Sequence, residues 1–330
     1  MSARIISTLH SRVAMSRPEP AQRAVLTRRA AFTGAMALPV AARAARAAPL
    51  PKIAIGFPVS DDFVPATVAR DLGLFTAQGV DVGITIVPLI SNIPAALLSG
   101  SLQIGATTGP TLLQARENGL ALVAVCGMSH LTPDHQLVSL VVGKQSGITK
   151  PADLIGKKIA VPGLNSLLDL LLRRWMVDHQ LDPKKVVLIE ATFPSMADLL
   201  RTGQVDAAIM KEPTRSSALH SGAGTRFVDY PGQVRPDVLN TFWIAERGWA
   251  MANPDAVRGF RAGIEAGIAA YEKDPHGGRV IEQRYFKAPE GMMPHFSTHM
   301  TAEDLAFMQE ISMQFGLLDH RADTAAMILP

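Results

Sequence analysis

Lys52-Ile53-Ala54-Ile55-Gly56-Phe57 alternates at first and then runs apolar, the pattern of a buried β-strand. Pro65–Gln78 follows at helical spacing, with Val68, Leu72 and Phe75 on one stripe and Gly79 to end it. Val80–Val87 then reads as a second strand. The alternation continues. Asn92 is placed to cap a short helix, Ile93–Ser99, with Pro94 inside its first turn. Gln103–Thr107 is a third strand, Pro110–Glu117 a helix and Leu120–Gly127 a fourth strand. Strands alternating with helices at this interval specify βαβ units and an α/β fold with mainly parallel sheets flanked by helices.

Gln136–Gly143 reads as a long strand leaving that unit, and after Lys150-Pro151 the pattern restarts. Lys157–Val161, Val186–Glu190 and Val205–Met210 are strands, separated by helices Ser166–His179 and Ser195–Thr202. Thr241–Ala245 is a strand that re-enters the first unit. The chain thus predicts two lobes, residues 48–142 with 241–330 and residues 143–240, joined by two crossings. The late helices Pro254–Lys273, after Asn253, and Ala302–Phe315, with Thr301 and Asp304 as a capping-box start, are expected on the first lobe. Ligands of open α/β sheets bind at the carboxyl ends of strands, so loops facing across the cleft hold the candidate site.

Composition bounds the function. The chain has 330 residues, 48% hydrophobic and 18% charged, enough material for a large core. Its net charge of +3 is misleading, because residues 1–48 carry eight arginines and one acid, Glu19. The remainder holds twenty-four bases against twenty-eight acids, a net −4, which removes the support for a nucleic-acid partner. The basic leader contains Thr27-Arg28-Arg29-Ala30-Ala31-Phe32, an apolar stretch Ala35–Ala42, and Ala45-Arg46-Ala47 with small residues at −3 and −1 of a cleavage site. That layout predicts an export signal cleaved after Ala47, of twin-arginine or general secretory type, and hence a periplasmic protein. No stretch there reaches the roughly 18 uncharged apolar residues of a spanning helix. The single cysteine, Cys126, lies in the apolar run Leu120–Met128 and is expected to be a small buried hydrophobe.

Four motifs carry a family resemblance: Ala69-Arg70-Asp71-Leu72-Gly73-Leu74-Phe75, Ala95–Gly105, Ile148–Ala160 with Lys150-Pro151-Ala152-Asp153-Leu154, and Leu199–Ala208 with Thr202-Gly203-Gln204-Val205-Asp206. In this order they resemble the periplasmic binding proteins for nitrate, taurine and aliphatic sulfonates, with the related binders of thiamine-pyrimidine precursors. The resemblance covers nearly all of the chain after the leader. It implies a type II-like two-lobe binding-protein fold and delivery of a small, anionic organic molecule, sulfonate- or carboxylate-like, to an ABC importer. It implies partnership with an inner-membrane permease and its ATPase, a monomer, no enzyme activity, and no cofactor or metal. Two alternatives stay open: a binder or enzyme of thiamine-pyrimidine metabolism, and a binding protein that reports to a sensor.

The resemblance also points to strand-end residues: Phe57 and Ser60 after the first strand, Ser91 and Asn92 after the second, and Thr107 and Thr108 before Gly109-Pro110. In the second lobe it points to Asn165 and Ser166 at a helix start, which suits an anion because free N–H groups and the helix dipole converge there. Asn165 is equally a plain helix cap. Ser195 opens the next helix. Lys211-Glu212-Pro213 departs from the family's aromatic pattern; Lys211 either meets an anionic ligand or pairs with Glu212. Phe242 and Trp243 either stack on a flat ligand or fill the core. His130, Asp134 and His135 lack metal-ligand spacing, and His130, just past a strand, is a ligand candidate.

Overall fold

The computed structural model describes residues 49–286 and 292–330; the leader with its expected cleavage site lies outside the described residues. Among these, eleven strands form two sheets. Strands β1 (Lys52–Phe57), β2 (Asp81–Ile86), β3 (Ile104–Thr107) and β4 (Leu122–Leu131) precede β5 (Val138–Gly143), β6 (Lys158–Val161), β7 (Val187–Glu190), β8 (Ala207–Lys211) and β9 (Gly224–Val228). The chain then returns through β10 (Val238–Glu246) and adds β11 (His295–Phe296). The first sheet is ordered β11-β4-β10-β3-β1-β2 and the second β7-β6-β8-β5-β9.

Parallel pairing holds within the βα units, where β1 joins β2 and β3, and β6 joins β7 and β8. Each sheet also contains one strand that arrives from the other. β10 runs antiparallel between β3 and β4, and β5 runs antiparallel between β8 and β9. The sheets are therefore mixed where the local pattern predicts mainly parallel pairing. The first crossing lies before Val138, so the strand expected in the first lobe pairs in the second sheet. The second crossing ends at Val238, three residues before the expected Thr241.

Aromatic packing fixes the first sheet against its helices. Phe57 stacks on Phe63 at 4.9 Å between ring centroids, and Trp243 meets both edge-on, at 5.9 and 5.5 Å. The helix Pro254–Lys273 closes this core through Gly259, Gly263 and Gly267, one stripe at four-residue spacing. A Cβ at Gly267 would stand 2.2 Å from the Pro65 carbonyl oxygen, and one at Gly263 2.2 Å from Phe75 Cδ1. Only glycine permits that approach. Helix Ala302–Gln314 behaves differently from the expectation of packing on the first lobe alone. Its Met308 fills the space beside Gly109, while Gln314 accepts from Arg174 Nη1 at 3.1 Å on the helix Leu167–Asp178 of the second unit.

Candidate functional site

The site is built where strand ends from both sheets face each other. After β1 the chain passes Pro58 and Ser60 into a short 3-10 turn, Asp61–Phe63. Ser60 caps it twice: its Oγ accepts from Asp62 N at 3.4 Å and donates to Asp62 Oδ2 at 2.8 Å. The other carboxylate oxygen, Asp62 Oδ1, accepts from Ser129 Oγ at 2.7 Å and Asn240 Nδ2 at 3.0 Å. Ser129 has one proton and gives it to Asp62, so the 2.8 Å contact with Thr241 must be donated by Thr241 Oγ1. From the end of β8, Lys211 Nζ donates to Asp62 Oδ2. The two charges are 4% and 2% exposed and join the two sheets.

Around this pair lies a cavity of about 70 Å3. Phe63, Leu89, Ile90, Leu167, Leu168 and Phe193 give it apolar walls, together with Pro58, Pro88 and Pro162. Its polar lining is Ser60, Asp62, Thr108, Ser166, Thr192, Lys211, Asn240 and Thr241. Ser166 is the N-cap of the helix Leu167–Asp178, and its Oγ is buried without a hydrogen-bond partner. Buried hydroxyls are nearly always paired, so this one is suited to a ligand atom.

Four of the residues singled out from sequence, Ser60, Thr108, Ser166 and Lys211, line this cavity. Ser91 and Asn165 line a second depression together with Glu190 and Ser166, which also lines the first cavity. Asn92 begins the helix Ile93–Leu98 without making a side-chain cap. Asn165 does not cap either: it is left-handed, with φ of 61°, and its N–H donates to Asp169 Oδ2 at 2.7 Å. Asp169 is buried in the first turn and also accepts from Arg173 Nε at 2.8 Å. Ser195 Oγ donates back to Thr192 O at 2.8 Å, so its role is local, while Thr192 and Phe193 reach the cavity.

Other expected contacts fall elsewhere. Phe57, Phe242 and Trp243 are fully buried in the core, and Trp243 Nε1 points at Met128 Sδ at 3.1 Å. Thr107 is fully buried and donates to Thr108 O at 3.4 Å. Lys211 pairs with Asp62, not with Glu212, which instead accepts from Arg215 Nε at 2.9 Å. His130 lies inside β4, which extends to Leu131, and bonds Asp237 Oδ1 at 2.8 Å. Among the described residues no group of three or more His, Cys, Asp or Glu is arranged to hold a metal ion. Burial pushes the Cys126 thiol up to about 12, so it stays protonated in β4.

Sequence reasoning missed Asp62, Asn240 and Thr241. The signal for Asp62 was present: two adjacent acids between Ser60 and Phe63, directly after a buried strand, have no surface to serve. Asp61, its neighbour, points away toward Glu282 and Arg279. Its oxygens accept no hydrogen bond, Arg279 Nη1 stands 3.7 Å from Oδ2, and burial followed by Glu282 pushes the carboxyl up to about 9.

This architecture has known counterparts. The chain superimposes on the alkanesulfonate-binding protein SsuA from Xanthomonas axonopodis pv. citri bound to MOPS with a TM-score of 0.73, at 20% identity, over 86% of this chain and 99% of that one. The periplasmic nitrate-binding protein NrtA from Synechocystis PCC 6803 matches with a TM-score of 0.71, at 14% identity, over 84% of each chain. In sequence, the taurine-binding periplasmic protein of Escherichia coli is 27% identical over 180 residues, 53% of each chain. The match thus spans about half the length of that curated relative. No helix among the described residues is long and apolar enough to cross a membrane. Residues 60–277, which hold β2 to β10, match the model of the NMT1/THI5-like family, and the chain belongs to that family.

Proposed function

We propose that this protein is the exported solute receptor of an ABC importer, a binding protein and not an enzyme, which holds one small organic anion between its two sheets. The observation that carries the reading is the cavity itself: apolar walls from both units enclose Lys211, the lone cation among its lining residues. A lysine ammonium has three N–H donors, and Asp62 takes one of them. The remaining donors and the unpartnered Ser166 hydroxyl suit the oxygen atoms of a sulfonate or carboxylate head. Leu167, Leu168, Phe193 and Phe63 suit an apolar body. The taurine- and alkanesulfonate-binding relatives support the same solute class.

Closure about the crossings at residues 132–137 and 229–237 would present the loaded form to a membrane permease and its ATPase. Export rests on the arginine-rich leader and is tested by N-terminal sequencing of periplasmic protein, expected to begin at Ala48. The receptor reading is tested by thermal-shift screening against sulfonates, carboxylates, nitrate and pyrimidines, because a bound solute raises stability by RT ln(1 + [L]/Kd). Sulfonates or aromatic acids are expected to raise the melting temperature. A response to pyrimidines alone would replace the anion with a flat heterocycle.

A further inference from the structure

The cavity has a feature that a simple anion receptor would avoid: a carboxylate bonded to its only lining cation. We infer that Asp62 is a specificity-determining residue, a built-in counter-anion that cancels the charge of Lys211 and makes the pocket choose its solute by apolar body instead of charge. This rests on the organic-anion reading proposed above.

Asp62 is fixed in place. Ser60, Ser129 and Asn240 all donate to it, on three separate segments of the first unit, so it does not swing aside when a solute enters. A solute anion that reaches Lys211 then shares the ammonium with a like charge a few ångströms away. A like charge at such range in a partly desolvated site offsets much of the attraction to the lysine. At the start of the helix Leu167–Asp178, buried Asp169 takes the Asn165 N–H and is itself paired with Arg173, whose Nη2 stands 2.7 Å from Oδ2, so that pair adds no net charge. An anion therefore exchanges its hydration for a site of nearly zero net charge.

What remains is burial against Phe63, Leu89, Ile90, Leu167, Leu168 and Phe193. A bare inorganic anion has no surface to bury there. A chain or ring carrying one acidic head does, and each buried methylene contributes about 0.8 kcal/mol, roughly fourfold in Kd. The repulsive element against the wrong solute and the attractive element for the right one thus sit in the same pocket.

The test is titration calorimetry at constant ionic strength with ethane-, butane-, hexane- and octanesulfonate, sodium nitrate and sodium sulfate, on wild type and Asp62→Asn. Asp62→Ser serves as a second neutral variant should the first not fold, with circular dichroism as the check on both. For wild type, Kd is expected to fall roughly fourfold per methylene, with no nitrate or sulfate binding at millimolar concentration. The neutral variant is expected to bind every sulfonate about tenfold or more tightly, with the same increment per methylene, and to acquire inorganic-anion binding, as removal of a like charge demands. Equal or weaker sulfonate binding by the neutral variants overturns the role of Asp62 and leaves the receptor reading standing. Wild-type binding of nitrate as tight as that of hexanesulfonate overturns it too. Sulfonate binding by the variant alone supports the role of Asp62 and sinks the organic-anion reading. Binding by neither protein overturns both.

Discussion

Lys211 at the end of β8 and Asp62 in the turn after β1 form one buried ion pair across the cleft, although they stand on different sheets. Removing one partner of such a pair leaves a desolvated charge with no counter-charge, which costs about 3–5 kcal/mol. Lys211→Met is therefore expected to destabilise the empty protein by about that amount in urea denaturation. A lysine pointing into water would give nearly none. The double variant Asp62→Asn/Lys211→Met should recover most of the loss, because neither charge is then stranded. A single variant as stable as wild type would mean that the pair is not formed in solution.

The same bond bears on the proposed closure. It links the units before any solute arrives, so Asp62→Asn should shift the empty protein toward an open form. Small-angle scattering should show a larger radius of gyration for the empty variant than for empty wild type, and octanesulfonate should bring the two together. An identical radius in all four samples would argue for a rigid molecule.

Asp61 gives the protein a pH dependence of defined sign. Its carboxyl is pushed up from 3.8 to about 9, first by burial and then by Glu282, so the folded chain retains a proton that the unfolded chain releases near pH 4. Stability from this group is full below the unfolded value and is lost as pH rises toward the folded one. Asp61→Asn should flatten that decline: its melting temperature should exceed that of wild type at pH 9 and converge with it near pH 4. Parallel slopes would place the shift elsewhere.

Aromatic residues that a sequence invites one to place around a flat solute belong to the core instead. Trp243 packs edge-on against Phe57, Phe63 and Phe260 with no exposed surface. Trp243→Ala should cost about 3–5 kcal/mol of stability through the cavity it leaves. Where the variant remains folded, its solute affinity should stay within a few-fold of wild type. Loss of binding without loss of stability would return Trp243 to the site.

The fold was legible because local pattern specifies it. Alternation located β1 to β3 to within a few residues, and a helical stripe located the helix before β3. The single helix expected over Pro65–Gln78 is instead two, Val64–Asp71 and Leu74–Ala77, broken at left-handed Gly73, which leaves Leu72 exposed. The insertion of β5 and β10, each running against both neighbours, was not legible, since pairing partners depend on where a crossing strand lands. The site divided in the same way. Ser60, Thr108, Ser166 and Lys211 follow from the rule that strand ends line the cleft. Asp62 meets Lys211 from 149 residues away, and nothing local to either residue encodes that contact. Asn240 and Thr241 were hidden for a related reason: the strand that holds them was read as starting at Thr241, three residues late, so Asn240 fell in the crossing and Thr241 at the strand's edge.

A single organic anion held against Lys211 and the apolar wall is the core of the proposed receptor function. Titration calorimetry of wild type and Lys211→Met with octanesulfonate tests it most directly. Wild type is expected to bind one molecule per chain, and Lys211→Met to lose about 1.5–3 kcal/mol of binding free energy, the value of a charge-assisted hydrogen bond. Unchanged affinity in a folded Lys211→Met protein, or no heat of binding in wild type, would contradict it.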